Sequence, residues 1–430
     1  MQFSDQFTLL STPAHLALIK ILLIIMFLLH LPYIGMFIGS SLFSVIFNLS
    51  GKKKGNKLHS TFARDLIDTV AFNKSIGIIL GALPLLVIAL IYSQILYAGN
   101  AVTMQYLVYS FLPIILGLIF VYIYKYTIRL EKDLFSLVGA VGVLLLLTGY
   151  FVFIASIARF RDPEKWAFIK NPVHLLISWN AIGNYLAFLA SSFAITGIGI
   201  VFFFFAWGKK LKDAESDYAI YVKKFGLIIG LIFTLLTPLF IVFDLINLPD
   251  IAYSYSLIIM SVVLLLLLAV VTNLLSKMLQ QSQTRLATHT FVLFMIAFFV
   301  MILNQGIARE NALIEHTKFL ALESEAMLAK IIPDREVAEG GGITDYAKGE
   351  AVYKRVCSSC HRFDQRIVGP PYATVLPKYE DDIQKLIAFI SNPQKVNPDY
   401  PPMPNQGLKI TDVEAVAGYL LKTYQEEYKK

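Results

Sequence analysis

Charge and thiols are both scarce in this sequence. Only 16% of its 430 residues are Asp, Glu, Lys or Arg, against 57% hydrophobic, which excludes an ordinary soluble globular chain. No basic surface with interleaved aromatics stands out, which excludes a nucleic-acid partner. No Lys or Arg precedes Lys20 and no cleavage site follows, so removal of a secretory signal is not expected. The whole chain holds two cysteines, Cys357 and Cys360, so thiol chemistry is confined to one place.

Long apolar runs are abundant. Before residue 307, eight segments are long enough to cross a bilayer, roughly 16–47, 71–98, 104–127, 134–158, 183–208, 220–246, 252–276 and 288–305, and no charge cluster splits them. The first run exceeds a minimal span yet is too short for two spans and a turn. It reads as one tilted helix, with Pro32 as the place for a kink.

Basic residues set the orientation. With the N-terminus outside, the inner loops "GKKKGNKLHSTFARDL", "KYTIRLEKD", "GKKLKDAESDYAIYVKK" and "SKMLQQSQTR" carry about fifteen Lys and Arg, and the outer ones about four, all in "ARFRDPEKWAFIKNP". That asymmetry follows the positive-inside rule and accounts for the net charge of +7 through loops lying beside anionic lipid. An even number of spans returns the C-terminus to the outside. The expected location is a bacterial cytoplasmic (inner) membrane, with the C-terminal domain on the periplasmic side and the lipid bilayer as partner.

After the last span the composition changes. "NQGIARENALIEHTKFLALESEAMLAKII" keeps a helical rhythm with mixed charge, and "PDREVAEGGG" then breaks it with a Pro start and a triple Gly stop, read as a helical stalk and a flexible hinge. The expected domains are a transmembrane part at 1–305, stalk and hinge at 306–342, and a compact C-terminal domain at 343–430. The fold class is all-α throughout: a polytopic transmembrane helical bundle of about eight spans, N-out and C-out, with a small all-α domain attached.

The stretch "RVCSSCHRF" holds both thiols and a histidine. A disulfide across a two-residue gap stabilises little. A redox pair wants a strand and helix context that is not evident here. Zinc needs two further Cys or His ligands, and the C-terminal segment has neither. C-x-x-C-H is the attachment pattern for a c-type haem: both thiols join the porphyrin and the imidazole of His361 reaches the iron.

The segment resembles class I c-type cytochromes. "GEAVYKRVCSSCH", "VGPPY" and "MPNQGLKITDVEAVAGYLL" follow in that family's order. The resemblance implies that Cys357 and Cys360 attach one haem c, and that His361 and Met403 ligate its iron. It also implies that the Pro370 carbonyl orients His361, and that Gly349 and Tyr353 pack against Tyr419 and Leu420. A His/Met iron leaves no open coordination site and sits at a raised potential, so no catalytic residue is assigned and the haem carries single electrons.

Ionisable groups in the spans come next, because charge in lipid is costly and tends to be functional. They are Lys20 and His30 in the first span, Lys74, beside Asn73, in the second, and Asp244 in the sixth. Asp68, Lys74 and Asp244 lie near span ends and are expected at the interface; Lys20 can snorkel. His30 cannot, and three readings stand for it: a hydrogen-bonded core histidine, a haem b ligand or a quinone contact. Neither a haem b nor a quinone has a paired-ligand pattern behind it. The membrane part faintly resembles the large subunit of cytochrome bd quinol oxidases, through Lys20 and His30 in "KILLIIMFLLH" and through "FNKSIGIILGALPLL". It departs from that family at Ala187, near the expected histidine, and in a third span without Glu.

Three functions are carried forward. The first is a membrane-anchored monohaem cytochrome c in a respiratory chain, within a larger membrane redox complex, exchanging electrons with a periplasmic or neighbouring haem protein. The second is a quinol-oxidising module feeding the fused cytochrome, a quinol:cytochrome c reductase. The third is a structural assembly subunit. Eight spans exceed what an anchor needs. The outer loop "ARFRDPEKWAFIKNPVHLL" or the stalk is expected to dock the haem domain.

Overall fold

The computed structural model describes residues 13–71, 73–96, 101–130, 133–208, 211, 216–338 and 343–429. Among them there is no strand, and the chain divides into two compact units, Met1–Ser324 and Glu325–Lys430.

The first unit contains eight helices long and apolar enough to cross a membrane: Ala14–Lys54, Lys74–Ile95, Val102–Leu130, Asp133–Phe160, Trp179–Trp207, Asp217–Ile246, Tyr255–Gln280 and Ala287–Ala312. They are called the first to eighth spans below. Leu90, Leu112 and Leu266, each about two-thirds exposed, show that the outward surface is itself apolar, as lipid requires. The fifth span is the bundle's axis: 78% of its most apolar window is buried, against 28–50% in the others.

Small residues make that central position available. Apolar side chains gain little by leaving lipid, so helices in a membrane associate where their backbones approach closely. A Cβ on Gly197 of the fifth span would stand 2.7 Å from the Gly226 carbonyl oxygen of the sixth. Gly35 and Gly39 of the first span face Ser192 and Thr196 of the fifth, again four residues apart on each helix.

Two expectations need correction, and one element was not anticipated. The inner loop after the first span contains a helix, Lys57–Val70, capped by Asn56 and burying Phe62, Ala63, Leu66, Ile67 and Val70. Its apolar residues recur at helical spacing, and a reading tuned to spans passes over so short a helix. The eighth helix continues past residue 305 to Ala312. The next helix, Ile314–Ala338, runs through Pro333, so the stalk does not break at that proline. The expected Gly-rich hinge, 339–342, lies outside the described residues.

The C-terminal unit closes around Val352, Phe363, Leu376, Val416 and Leu420. Its first helix, Tyr346–Val352, is capped by Asp345, whose side chain accepts from the Lys348 amide. Its closing helix, Ile410–Thr423, crosses the first at Gly349, where a Cβ would meet the Ala415 carbonyl and stand 2.6 Å from Tyr419 Cβ. The rings of Tyr353 and Tyr419 lie 5.6 Å apart, and Tyr353 packs on the cluster containing Leu420, as expected.

Candidate functional site

The helix Tyr346–Val352 runs into a wider turn, Tyr353–Cys357, which delivers the first thiol. The Cys357 carbonyl then accepts from the amides of Cys360 and His361 at 3.1 and 3.0 Å, folding the motif into a single turn. The returning strand of loop is tied back to that turn. The Cys360 carbonyl accepts from Val368 and Gly369 at 3.2 and 2.9 Å, and the Arg362 carbonyl accepts from Tyr372 at 2.9 Å.

This return path brings the Pro370 carbonyl to 3.0 Å from His361 Nδ1. A carbonyl only accepts, so Nδ1 carries the proton and Nε2 keeps its lone pair. The ring stacks on Tyr372 at 5.0 Å. A Cβ at Gly369 would strike the imidazole, so the residue before Pro370 must be glycine for the ring to occupy this place. Cys357 and Cys360 are free thiols, both half-buried. Burial pushes the Cys357 thiol above its ordinary range, and a hydrogen bond with Tyr372 works the other way. Met403 is half-buried in the irregular loop before the closing helix, between the exposed prolines 402 and 404. That loop turns at Gly407, at φ +60°, whose amide donates to Asn405 Oδ1 at 2.9 Å.

Residues 346–423 match the family described as Cytochrome c. They form a cytochrome c domain. No curated protein and no solved structure matches the chain, and the likeness of the membrane part to bd-type quinol oxidases is not shown. The cytochrome domain implies electron transfer and a covalently bound haem c, and the eight apolar helices fit membrane anchoring. The residues present fit that group. Two free thiols lie in the same turn as an imidazole whose proton is fixed on Nδ1, and Gly369 keeps the space beside the ring clear. Among the described residues no group of three or more His, Cys, Asp or Glu gathers.

In the membrane unit His30 is fully buried. Its Nδ1 lies 2.9 Å from the Leu80 carbonyl and its Nε2 2.8 Å from the Tyr150 hydroxyl. The carbonyl fixes the proton on Nδ1, so Tyr150 donates to Nε2 and both nitrogens are occupied. Of the three readings, the hydrogen-bonded core histidine describes this geometry. His174 Nδ1 lies 2.9 Å from the Phe168 carbonyl, which accepts its hydrogen bond.

Asp244 corrects an expectation. It is not at the interface but 3% exposed, paired with Arg161, itself 2% exposed, at 2.9 Å. Its two oxygens accept from Arg161 Nη2 and Asn184, and from Gln305 and Arg161 Nη1 at 2.9 and 3.3 Å. Asn180 Oδ1 also accepts from Arg161 Nη2, at 2.9 Å. Four of these five residues were absent from the expected set. Arg161 counts as one of the outer-loop cations in the sequence, but its guanidinium reaches back into the bundle. Asn180 with Asn184, and Gln305 with Arg309, sit four residues apart at span ends; that spacing on one helix face was the available signal.

Proposed function

We propose that this protein is a membrane-anchored monohaem c-type cytochrome that moves single electrons in a respiratory chain, as a subunit of a larger membrane redox complex. The observation that carries the reading is the 3.0 Å bond from His361 Nδ1 to the Pro370 carbonyl, within a turn whose two preceding thiols are free. It presents Nε2 as a ligand and holds the ring in one orientation.

In this reading Cys357 and Cys360 hold the haem, His361 and Met403 provide its axial ligands, and the group supplies one-electron chemistry at iron when bound. The chain's own part is orientation. Pro370 sets the imidazole's tautomer, Gly369 leaves room for it, and the prolines flanking Met403 stiffen the loop that presents a weak thioether. The partners would be other subunits of the membrane complex and a periplasmic or neighbouring haem protein. Eight spans where one would anchor support the subunit role, and the basic inner loops support a bacterial inner membrane with the cytochrome domain on the periplasmic side.

The test is a pyridine haemochrome spectrum with haem-to-protein stoichiometry on the detergent-purified chain. One covalent haem c per chain is expected, lost in C357S/C360S. A chain that matures in a haem c-competent host without covalent haem would reject the reading.

A further inference from the structure

A cleft of about 950 Å³ lies where the first span finishes, the helix Lys57–Val70 begins and the fourth span starts. Four cations line it, Lys52, Lys53, Lys57 and Arg64, against one carboxylate, Asp133. Asp133 pairs with Lys52 at 3.4 Å; neither Lys53 nor Lys57 forms an ion pair among the described residues. The frame around these cations is set by the backbone. The Asn56 amide donates to the Gly51 carbonyl at 2.9 Å, Gly55 takes φ +61°, and a Cβ on Gly51 would press on Ser60 Oγ. Asn56 Oδ1 already accepts from the Leu58 and His59 amides at 3.0 and 3.4 Å, so the side-chain cations, and not the start of the helix, supply the attraction.

Like charges held together in a cleft repel one another and concentrate anions. Lys57, Thr61 and Arg64 stand at helical spacing on one face of their helix, away from the buried Phe62, Leu66 and Val70. Lys57 and Arg64 are about 10.5 Å apart along its axis, at 1.5 Å per residue. The number and spread of the cations suit two negative groups; a single phosphate would leave the far ones unmatched. Size points the same way, because clefts of about 300–1,000 Å³ hold whole ligands rather than bare ions. The edge of the cleft is apolar. Leu49, 46% exposed, lines it, and Ile46, 47% exposed, follows one turn back along the first span. A soluble phosphate compound has nothing to lay there, whereas an acyl chain does.

We propose that this cleft is a discrete site for an anionic phospholipid whose head group carries two phosphates, as cardiolipin does. One phosphate accepts from Lys53 and Lys57 beside the Gly55 turn, the other from Arg64 and the Thr61 hydroxyl, and the acyl chains run out past Leu49 and Ile46. Basic pockets beside membrane helices take such head groups, and a frame formed in advance lowers the cost of ordering them. The inference rests on the spans lying in a bilayer and not on the haem reading above.

The test is native mass spectrometry of the purified full-length chain in detergent, titrated with tetraoleoyl cardiolipin, with dioleoyl phosphatidylglycerol and with inorganic pyrophosphate. One saturable cardiolipin per chain is expected, bound at least about tenfold more tightly than phosphatidylglycerol. Lys53→Gln and Lys57→Gln should each weaken it about fivefold. Lys224→Gln and Lys277→Gln, at the same end of the bundle but outside the cleft, should leave it unchanged. Thermal midpoints check that each variant folds. Absence of a saturable cardiolipin, or phosphatidylglycerol binding equally well, would overturn the proposal. Equal weakening by the Lys224 and Lys277 variants would replace the site by diffuse attraction to basic loops. Pyrophosphate binding as tightly as cardiolipin would give the cleft to a soluble diphosphate. Haem content does not enter the readout, so loss of the cytochrome reading and loss of this one are separable.

Discussion

Replacing Asp244 by leucine would test the buried polar cluster of the membrane unit most directly. The carboxylate is 3% exposed and receives hydrogen bonds from Arg161, Asn184 and Gln305. Removing one partner of a buried ion pair typically costs about 3–5 kcal/mol, because the other charge is left uncompensated. Arg161 would keep only the neutral oxygens of Asn180 and Gln305, so the full range applies. Asp244→Asn should rescue only part of the loss: its carbonyl oxygen can still accept from Arg161, but the charge is gone and its amide N–H groups replace the other acceptor. The double variant R161M/D244L removes both charges, and replacing a buried pair by apolar groups is often near neutral. It should recover most of the loss, less a residue from Gln305, whose amide loses its acceptor, whereas Asn184 still donates to Asn180. The assay is denaturant unfolding of the full chain in detergent, followed by helical circular dichroism and arranged as a double-mutant cycle. Additive losses in the double variant would refute the account of a coupled buried pair.

Tyr150→Phe should destabilise the membrane unit by about 1–3 kcal/mol, because it leaves His30 Nε2 buried without its donor (2.8 Å in the wild type); an unchanged unfolding midpoint would remove the structural role of His30. Gly349→Val should cost at least about 1–3 kcal/mol by overpacking, since its Cβ would press on the Ala415 carbonyl and on Tyr419; covalent haem yield should fall with it, and wild-type yield and stability would contradict the crossing. Gly369→Ala should displace the His361 ring, read as a shifted Soret band with both thioether links intact. Asp382 caps the helix Ile383–Ser391, and its hydrogen bond to Lys385 holds its carboxyl below the ordinary value of 3.8. A depressed folded pKa contributes stability above the unfolded pKa and loses it as pH falls through the folded one. Asp382→Asn should therefore lower the unfolding midpoint of the cytochrome domain at pH 6, with the gap closing toward pH 3; a gap independent of pH would discount the charge.

The parts that could be read in advance differ from those that could not in how many chain segments build them. The spans are local: each is one apolar run, and the structure moves their ends by a few residues. The haem-binding turn is also local, with Cys357, Cys360 and His361 inside a single turn and Pro370 nine residues on. Lys57–Val70 was hidden by length, since a helix of 14 residues that buries one face carries no span-like run. Asp244 was visible but misplaced, because a charge near a span end suggests the interface whereas its surroundings are set by other helices. Arg161 was misread for the same reason. Positive-inside counting treats a loop cation as solvated, and only the folded bundle shows it folded back onto the sixth span.

The same distinction bears on how the two units specialise. The haem-binding turn is written in one short segment of the cytochrome domain, so that domain could join many membrane partners without altering its chemistry. A cavity among the spans is the opposite case. Its lining, Arg161 and Arg309 included, comes from the first, second, fourth, fifth and eighth spans, and its polar end depends on Asp244 of the sixth. A structure assembled from so many helices exceeds what tethering needs, and Arg309 without an acidic partner would be an unrelieved cost in a bundle that only anchors. Arg309→Met should therefore stabilise the full chain in detergent, read as a rising unfolding midpoint. A falling midpoint would show that the Tyr92 contact alone satisfies the guanidinium.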